Sequence, residues 1–192
     1  MAKRLDPTVL LTIGPFFPRV LAEADNHDLT RAGSVRGVPI VLAGRVRESG
    51  DQPVRNAVVE IWQPDADGLF AHPADPRAAD ADPNFLAWGR CATNADGWYR
   101  FRTVMPGPRS DNVAGTRLPH VNMMLLASGI MRRLTTTLFF GAGSDPVLSA
   151  VSPELRERLQ ARRAPELDDA GAQGYRFDVV LQGTGETPFF LD

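Results

Sequence analysis

The chain has 192 residues, 43% of them hydrophobic, which suits one compact domain burying roughly 70% of the surface of its unfolded form. Its 21 basic and 23 acidic residues are interspersed and leave a formal net charge of -2, so nothing marks a nucleic-acid or anionic-membrane partner. The start, MAKRLDPTVL, lacks the apolar core of a signal peptide, and no apolar run reaches the ~18 residues of a spanning helix, so a cytoplasmic protein is expected. The single cysteine, Cys91, excludes an internal disulfide and reads as a buried small hydrophobe.

Residues 1–38 carry turn signals, Gly14-Pro15-Phe16-Phe17-Pro18 and then Gly33 and Gly37, with little periodicity. They predict an N-terminal arm, with a short helical turn at 20–23, on a single domain spanning 1–192. From Pro39 the pattern turns to β. Runs at 40–47, 57–63, 97–103, 119–127, 134–140 and 175–182 have strand length and are rich in branched and aromatic residues, without intervening helices. They predict an all-β fold, an antiparallel β-sandwich with the N-terminal arm and one or two short helices.

Within GWYRFRT, Trp98, Arg100 and Arg102 share one face and Tyr99, Phe101 and Thr103 the other. Asn94-Ala95-Asp96-Gly97 before it reads as a turn, not a calcium loop. The stretch from Pro64 to Asn84, rich in Asp, Ala and Pro, predicts a solvated excursion. A helix is expected from Pro153 to about Arg163, with Ser152 as N-cap and Leu155 and Leu159 on one face. Trp62 and Trp88 belong by type to core or interface, and His27 and His72 sit in polar loops with no specific task.

His120 and Asn122 are two apart in a strand-like run, so they share a face where a metal-binding sheet would place two nitrogen ligands. Asn is a neutral oxygen donor that poorly replaces imidazole at a transition metal, so half of such a site is missing. His120 therefore reads as a hydrogen-bonded residue of a buried strand and not as a catalytic base.

The segments VVEIWQPDADG (58–68), DPNFLAWGRCATNADGWYRFRTVMPGP (82–108), LPHVNM (118–123), LTTTLFF (134–140) and YRFDVVLQGTGETPFF (175–190) resemble the intradiol ring-cleaving dioxygenases. In two-chain members of that family each chain is a β-sandwich. The resemblance implies that only the β chain holds Fe(III), through two tyrosinates and two histidines. At those four positions this sequence has Phe70, Arg109, His120 and Asn122. Three ligands are gone, and ferric iron needs anionic oxygen donors, so the chain should hold no metal and looks like an α chain.

The resemblance further implies an obligate hetero-oligomer with a β chain, acting on a small aromatic substrate and O₂. Thr12, Gly14, Pro15 and Phe16 would supply a pocket wall beside the partner's iron, with no catalytic residue in this chain. Two positions depart from the α pattern: Phe16 stands where Tyr is expected, and Ser128 where an Arg would face the shared pocket. Arg132 and Arg133 nearby read as solvated hairpin residues. The other reading open at this stage is an iron-free β-sandwich binding or scaffold module derived from the same family.

Overall fold

The computed structural model describes Thr12, Gly14 and residues 26–111 and 115–190. Among these, two β-sheets face each other. The first is centred on β1 (Pro39–Glu48), flanked on one side by β2 (Gln52–Pro53) and, antiparallel over seven positions, β5 (Trp98–Val104). On its other side lie β11 (Gln173–Arg176) and β12 (Val179–Val180), with β10 (Arg162–Arg163) beyond β11. The second sheet runs β4 (Trp88–Ala92), β3 (Val58–Trp62), β8 (His120–Leu126), β9 (Leu134–Phe139), antiparallel throughout. A hairpin of β6 (Arg109–Asp111) and β7 (Gly115–Arg117) stands apart.

Alternation builds the core. Ile40 and Leu42 of β1, Tyr99 and Phe101 of β5, Val59 and Ile61 of β3 and Val121, Met123 and Leu125 of β8 are fully buried in one cluster between the sheets. The residues between them face outward. Trp98 and Arg100 lie on the outer face of β5, as the sequence alternation predicts, and Gly97 (φ 79°) closes the preceding turn, where Asn94 Oδ1 accepts from Asp96 N and Trp98 N.

The all-β sandwich is as expected, with four differences in detail. β1 pairs in parallel with β11 and β12, so the first sheet is mixed. The expected strand 175–182 is broken: Phe177 turns into the core, and Asp178 Oδ1 accepts from Arg45 N at 2.9 Å, a side chain standing in for a ladder carbonyl. The expected helix 153–163 ends early. Helix α2 (Pro153–Arg156) passes into a 3-10 turn at Glu157–Leu159, then Ala161 N donates to Phe139 O, so strand pairing overrides helical propensity. Ser152 makes no side-chain cap bond. An unanticipated helix, α1 (Pro146–Ala150), precedes it, capped by Asp145, whose side chain accepts from Val147 N and Leu148 N.

Cys91, expected to be buried, is half-buried, because it lies on the inner face of β4 at the sheet edge. Part of the expected arm belongs to the body: Leu29 is fully buried, and its N–H donates to Arg102 O at 2.9 Å. Pro15, Phe16 and residues 20–23 lie outside the described residues.

The crossing of β1 over Phe177 is tight. A Cβ on Gly44 would stand 1.8 Å from Phe177 O, the same carbonyl that accepts from the buried Tyr99 Oη at 2.5 Å. Gly44→Ala is therefore expected to lower stability by about 3 kcal/mol, read from urea unfolding midpoints, because neither backbone can yield without losing the pairing of β1.

Candidate functional site

β3 ends at Trp62, whose side chain points away from the sandwich core, and the chain then makes the excursion 63–87. Its part from Pro64 to Asn84, expected to be a solvated excursion, is instead organised around three buried carboxylates, a correction forced by the backbone donors they accept from. Asp65 accepts from Asp67 N, Leu69 N and Asp82 N; Asp82 accepts from Arg36 N and Asn84 N; Asp75 accepts from Phe70 N and Arg77 N. A buried carboxylate supplies several acceptor sites, so each one folds a turn that would otherwise leave amides unpaired.

The Pro106-Gly107-Pro108 turn packs onto this loop. Gly107 N donates to Asp65 O at 2.9 Å, and a Cβ on Gly107 would lie 2.3 Å from Ala66 O, so only glycine fits there. That approach sets Arg109 beside Phe70. The guanidinium carbon stands 5.1 Å from the Phe70 ring centroid, and Arg109 Nη1 donates to Asp75 Oδ2 at 2.5 Å. Phe70 in turn meets Trp62 edge-on, with centroids 5.9 Å apart.

Asn122 lies directly opposite Trp62 on β8 and accepts from Thr137 Oγ1 at 2.9 Å through Oδ1. Trp62, Phe70, Asp75, Arg109 and Asn122 thus line one cleft of about 270 Å³. Three of the four positions singled out in the sequence come together there. The fourth does not join them.

His120 points to the same side of β8 as Asn122 but is 2% exposed and packs against Phe139, its cross-strand neighbour. Its Nδ1 lies 2.6 Å from Leu118 O, which can only accept, so Nδ1 carries the proton. Burial pushes its pKa below the ordinary histidine range, with help from the Arg117 charge, against the Leu118 bond and the Asp145 charge, which raise it.

Electrostatically the cleft is closed. Burial would raise the Asp75 pKa, but the bonds from Arg109 and from the Arg77 and Phe70 amides outweigh it and bring it down to about 2. The one acid that lines the cleft among the described residues is thus ionised and occupied by a guanidinium. Ferric iron asks for phenolate or comparable anionic donors, and a cleft lined by a phenyl ring, a fixed cation, a neutral amide and the His72 imidazole, with His120 buried apart from it, does not fit it. Among the described residues no three His, Cys, Asp or Glu side chains group as metal ligands.

Beyond the cleft, Thr12 Oγ1 accepts from Gly129 N at 2.7 Å, which places Thr12 against the β8–β9 turn that also holds Ser128. Gly14 is exposed, and among the described residues nothing lies within 4 Å of a Cβ built on it. Arg132 and Arg133 are exposed in the same turn.

The family model described as "Dioxygenase" matches residues 12–183. The chain belongs to the intradiol ring-cleavage dioxygenase family. It is 38% identical to the protocatechuate 3,4-dioxygenase beta chain of Burkholderia cepacia over 174 residues, 85% of this chain and 74% of that one. It is also 38% identical to the protocatechuate 3,4-dioxygenase alpha chain of Pseudomonas putida over 162 residues, 80% of this chain and 76% of that one. The dioxygenase domain of a carbohydrate-binding fusion protein from Streptomyces sp. SirexAA-E shares the fold, at TM-score 0.57 and 24% identity, covering 95% of this chain and 100% of that one. Overall identity does not separate the two chain types for this dioxygenase-family member.

Asp75 and Asp145 escaped the sequence reading. Nothing local distinguishes Asp75 from the other acids of its loop. Asp145-Pro146, in contrast, is a recognisable helix start. Asp145 is fully buried and, besides capping α1, accepts from Arg117 Nε at 2.8 Å and Leu118 N at 2.9 Å. Asp145→Ala removes a cap and strands a mostly buried arginine, so a loss of about 3 kcal/mol in chemical unfolding is expected.

Proposed function

We propose that this chain is an iron-free α-type subunit of a protocatechuate 3,4-dioxygenase. The reading is supported by one observation: Phe70, Arg109 and Asn122, at positions where the resemblance puts the catalytic chain's iron ligands, line a single cleft whose only carboxylate among the described residues is paired with Arg109. A β-type partner carrying the full set of two tyrosines and two histidines would hold the Fe(III). The assembled enzyme would use O₂ to open the ring of 3,4-dihydroxybenzoate between its hydroxyls, giving 3-carboxy-cis,cis-muconate.

In this reading the chain works by position. Thr12, bonded to Gly129, anchors the N-terminal segment, and Gly14, Pro15 and Phe16 form a wall of the partner's substrate pocket. Gly14, with nothing among the described residues within 4 Å of a Cβ built on it, tolerates close approach by a neighbouring chain or a substrate. Ser128, set beside Thr12's partner Gly129, would bring a hydroxyl where a cation is expected, so the wall contributes no positive charge from that position. The experiment is oxygen uptake with 3,4-dihydroxybenzoate by this chain alone, by the partner alone and by the two co-expressed. The reading expects full turnover only from the pair; equal turnover by the partner without this chain would overturn the pocket role.

A further inference from the structure

A separate cavity of about 340 Å³ opens where the first sheet meets the returning C-terminal turn. Four arginines line it: Arg47 from β1, Arg158 from the 3-10 turn, Arg162 from β10 and Arg176 from β11. Two carboxylates, Glu157 and Asp178, line it with them. Phe177 and Val180 supply its apolar part, and none of these residues belongs to the Phe70 cleft.

The acids do not balance the arginines. Asp178 accepts from Arg45 N at 2.9 Å, from Arg176 Nη2 at 2.9 Å and, at 3.4 Å, from Arg47 Nη2. Arg47 has its closer partner in Asp51, outside the cavity. Glu157 pairs with Arg162 Nη2 at 2.9 Å. Arg158 has no carboxylate within ion-pair distance among the described residues; its Nη1 donates to Glu186 O at 3.1 Å, a neutral acceptor that leaves the charge standing. Asp51, Asp178 and Glu157 thus answer four guanidiniums, with Asp178 divided between two of them. The surplus charge is also within reach of a ligand, because Arg158 is exposed and the Arg162 and Arg176 side chains are 70% and 39% exposed. Gln160, at the same rim, makes no side-chain hydrogen bond among the described residues.

We propose that this cavity binds a phosphate group, free or carried by a small metabolite, held chiefly by Arg158 with Arg162 and Arg176 beside it. Guanidinium forks suit phosphate, whose several oxygens can accept from donors on three different elements and whose negative charge offsets the surplus. The volume exceeds that of a lone phosphate and lies within the range of small-molecule sites, which leaves room for the rest of an ester beside Gln160 and Val180. Every group involved belongs to this chain, so binding requires no partner subunit.

Calorimetric titration of the full chain with inorganic phosphate, glycerol 3-phosphate and glycerol, at one fixed chloride ionic strength, tests it. Both phosphates are expected to bind saturably, one per chain, and glycerol not at all. An ester bound at least threefold more tightly than phosphate assigns the site to phosphorylated metabolites; equal affinities assign it to free phosphate. Arg158→Glu, which gives up only the bond to the Glu186 carbonyl, should weaken both phosphates at least tenfold with the urea unfolding midpoint unchanged. Arg162→Ala should weaken them at least threefold. Arg132→Glu, the same change of net charge placed in the exposed β8–β9 turn, should leave both affinities within twofold. No saturable binding of either phosphate, wild-type affinity in both cavity variants, or equal losses in Arg158→Glu and Arg132→Glu would overturn the proposal.

Discussion

Replacing Arg109 by leucine is expected to destabilise the chain by about 3–5 kcal/mol, the usual cost of removing one partner from a buried ion pair. Asp75 is the reason. Its carboxylate is almost wholly buried and, once the Arg109 guanidinium is gone, keeps the Phe70 and Arg77 amides and a long ion pair to Arg77 Nε at 3.9 Å. Phe70 also loses the cation over its ring. The effect carries a pH signature. The folded-state pKa of Asp75 lies at about 2, below its ordinary 3.8, so its stabilising contribution is complete above about pH 4 and is lost as pH falls toward 2. The difference between wild type and Arg109→Leu, followed by urea unfolding, should therefore be largest at neutral pH and shrink between pH 4 and 2. Asp75→Asn in the Arg109→Leu background should recover part of the loss. A pH-independent difference would mean that packing, not charge, holds the loop.

The second large effect concerns the proposed partner. Gly14→Val is expected to leave the unfolding midpoint of this chain unchanged, since among the described residues nothing crowds that position. In the assembled enzyme it should lower kcat/KM for 3,4-dihydroxybenzoate at least tenfold, equivalent to about 1.4 kcal/mol of lost transition-state stabilisation. That split, no change in the subunit and a large change in the complex, is what a wall placed against another chain's pocket requires. Thr12→Val, which removes the acceptor for Gly129 N, should act in the same direction with a smaller effect.

The sandwich was legible because its strands alternate cleanly and its turns are marked by Gly, Asn and Asp. GWYRFRT is the clearest case, and its two faces are those of the structure. The segment 175–182 was misjudged because Asp178 satisfies a β1 amide with its side chain, a tertiary bond that no propensity encodes. The late helix was overestimated for a similar reason: Gln160 and Ala161 are drawn into pairing with Phe139. At the site, the residue types at 70, 109 and 122 could be read directly, and their convergence follows from Asn122 lying opposite Trp62 and from the Gly107 turn packing on the loop that carries Phe70. The clamp between Arg109 and Asp75 could not be read, because 34 residues separate the partners and the acid sits in a loop with many others.

The account turns on the donor chemistry of the Phe70, Arg109, Asn122 cleft, and iron content tests it most directly. The purified chain, loaded with ferric salt, desalted and assayed by elemental analysis and visible spectroscopy, should retain far less than one iron per chain and show no phenolate-to-iron charge-transfer band; its complex with the partner should hold one iron per pair. One tightly held ferric ion per isolated chain, together with ring cleavage of 3,4-dihydroxybenzoate, would contradict it.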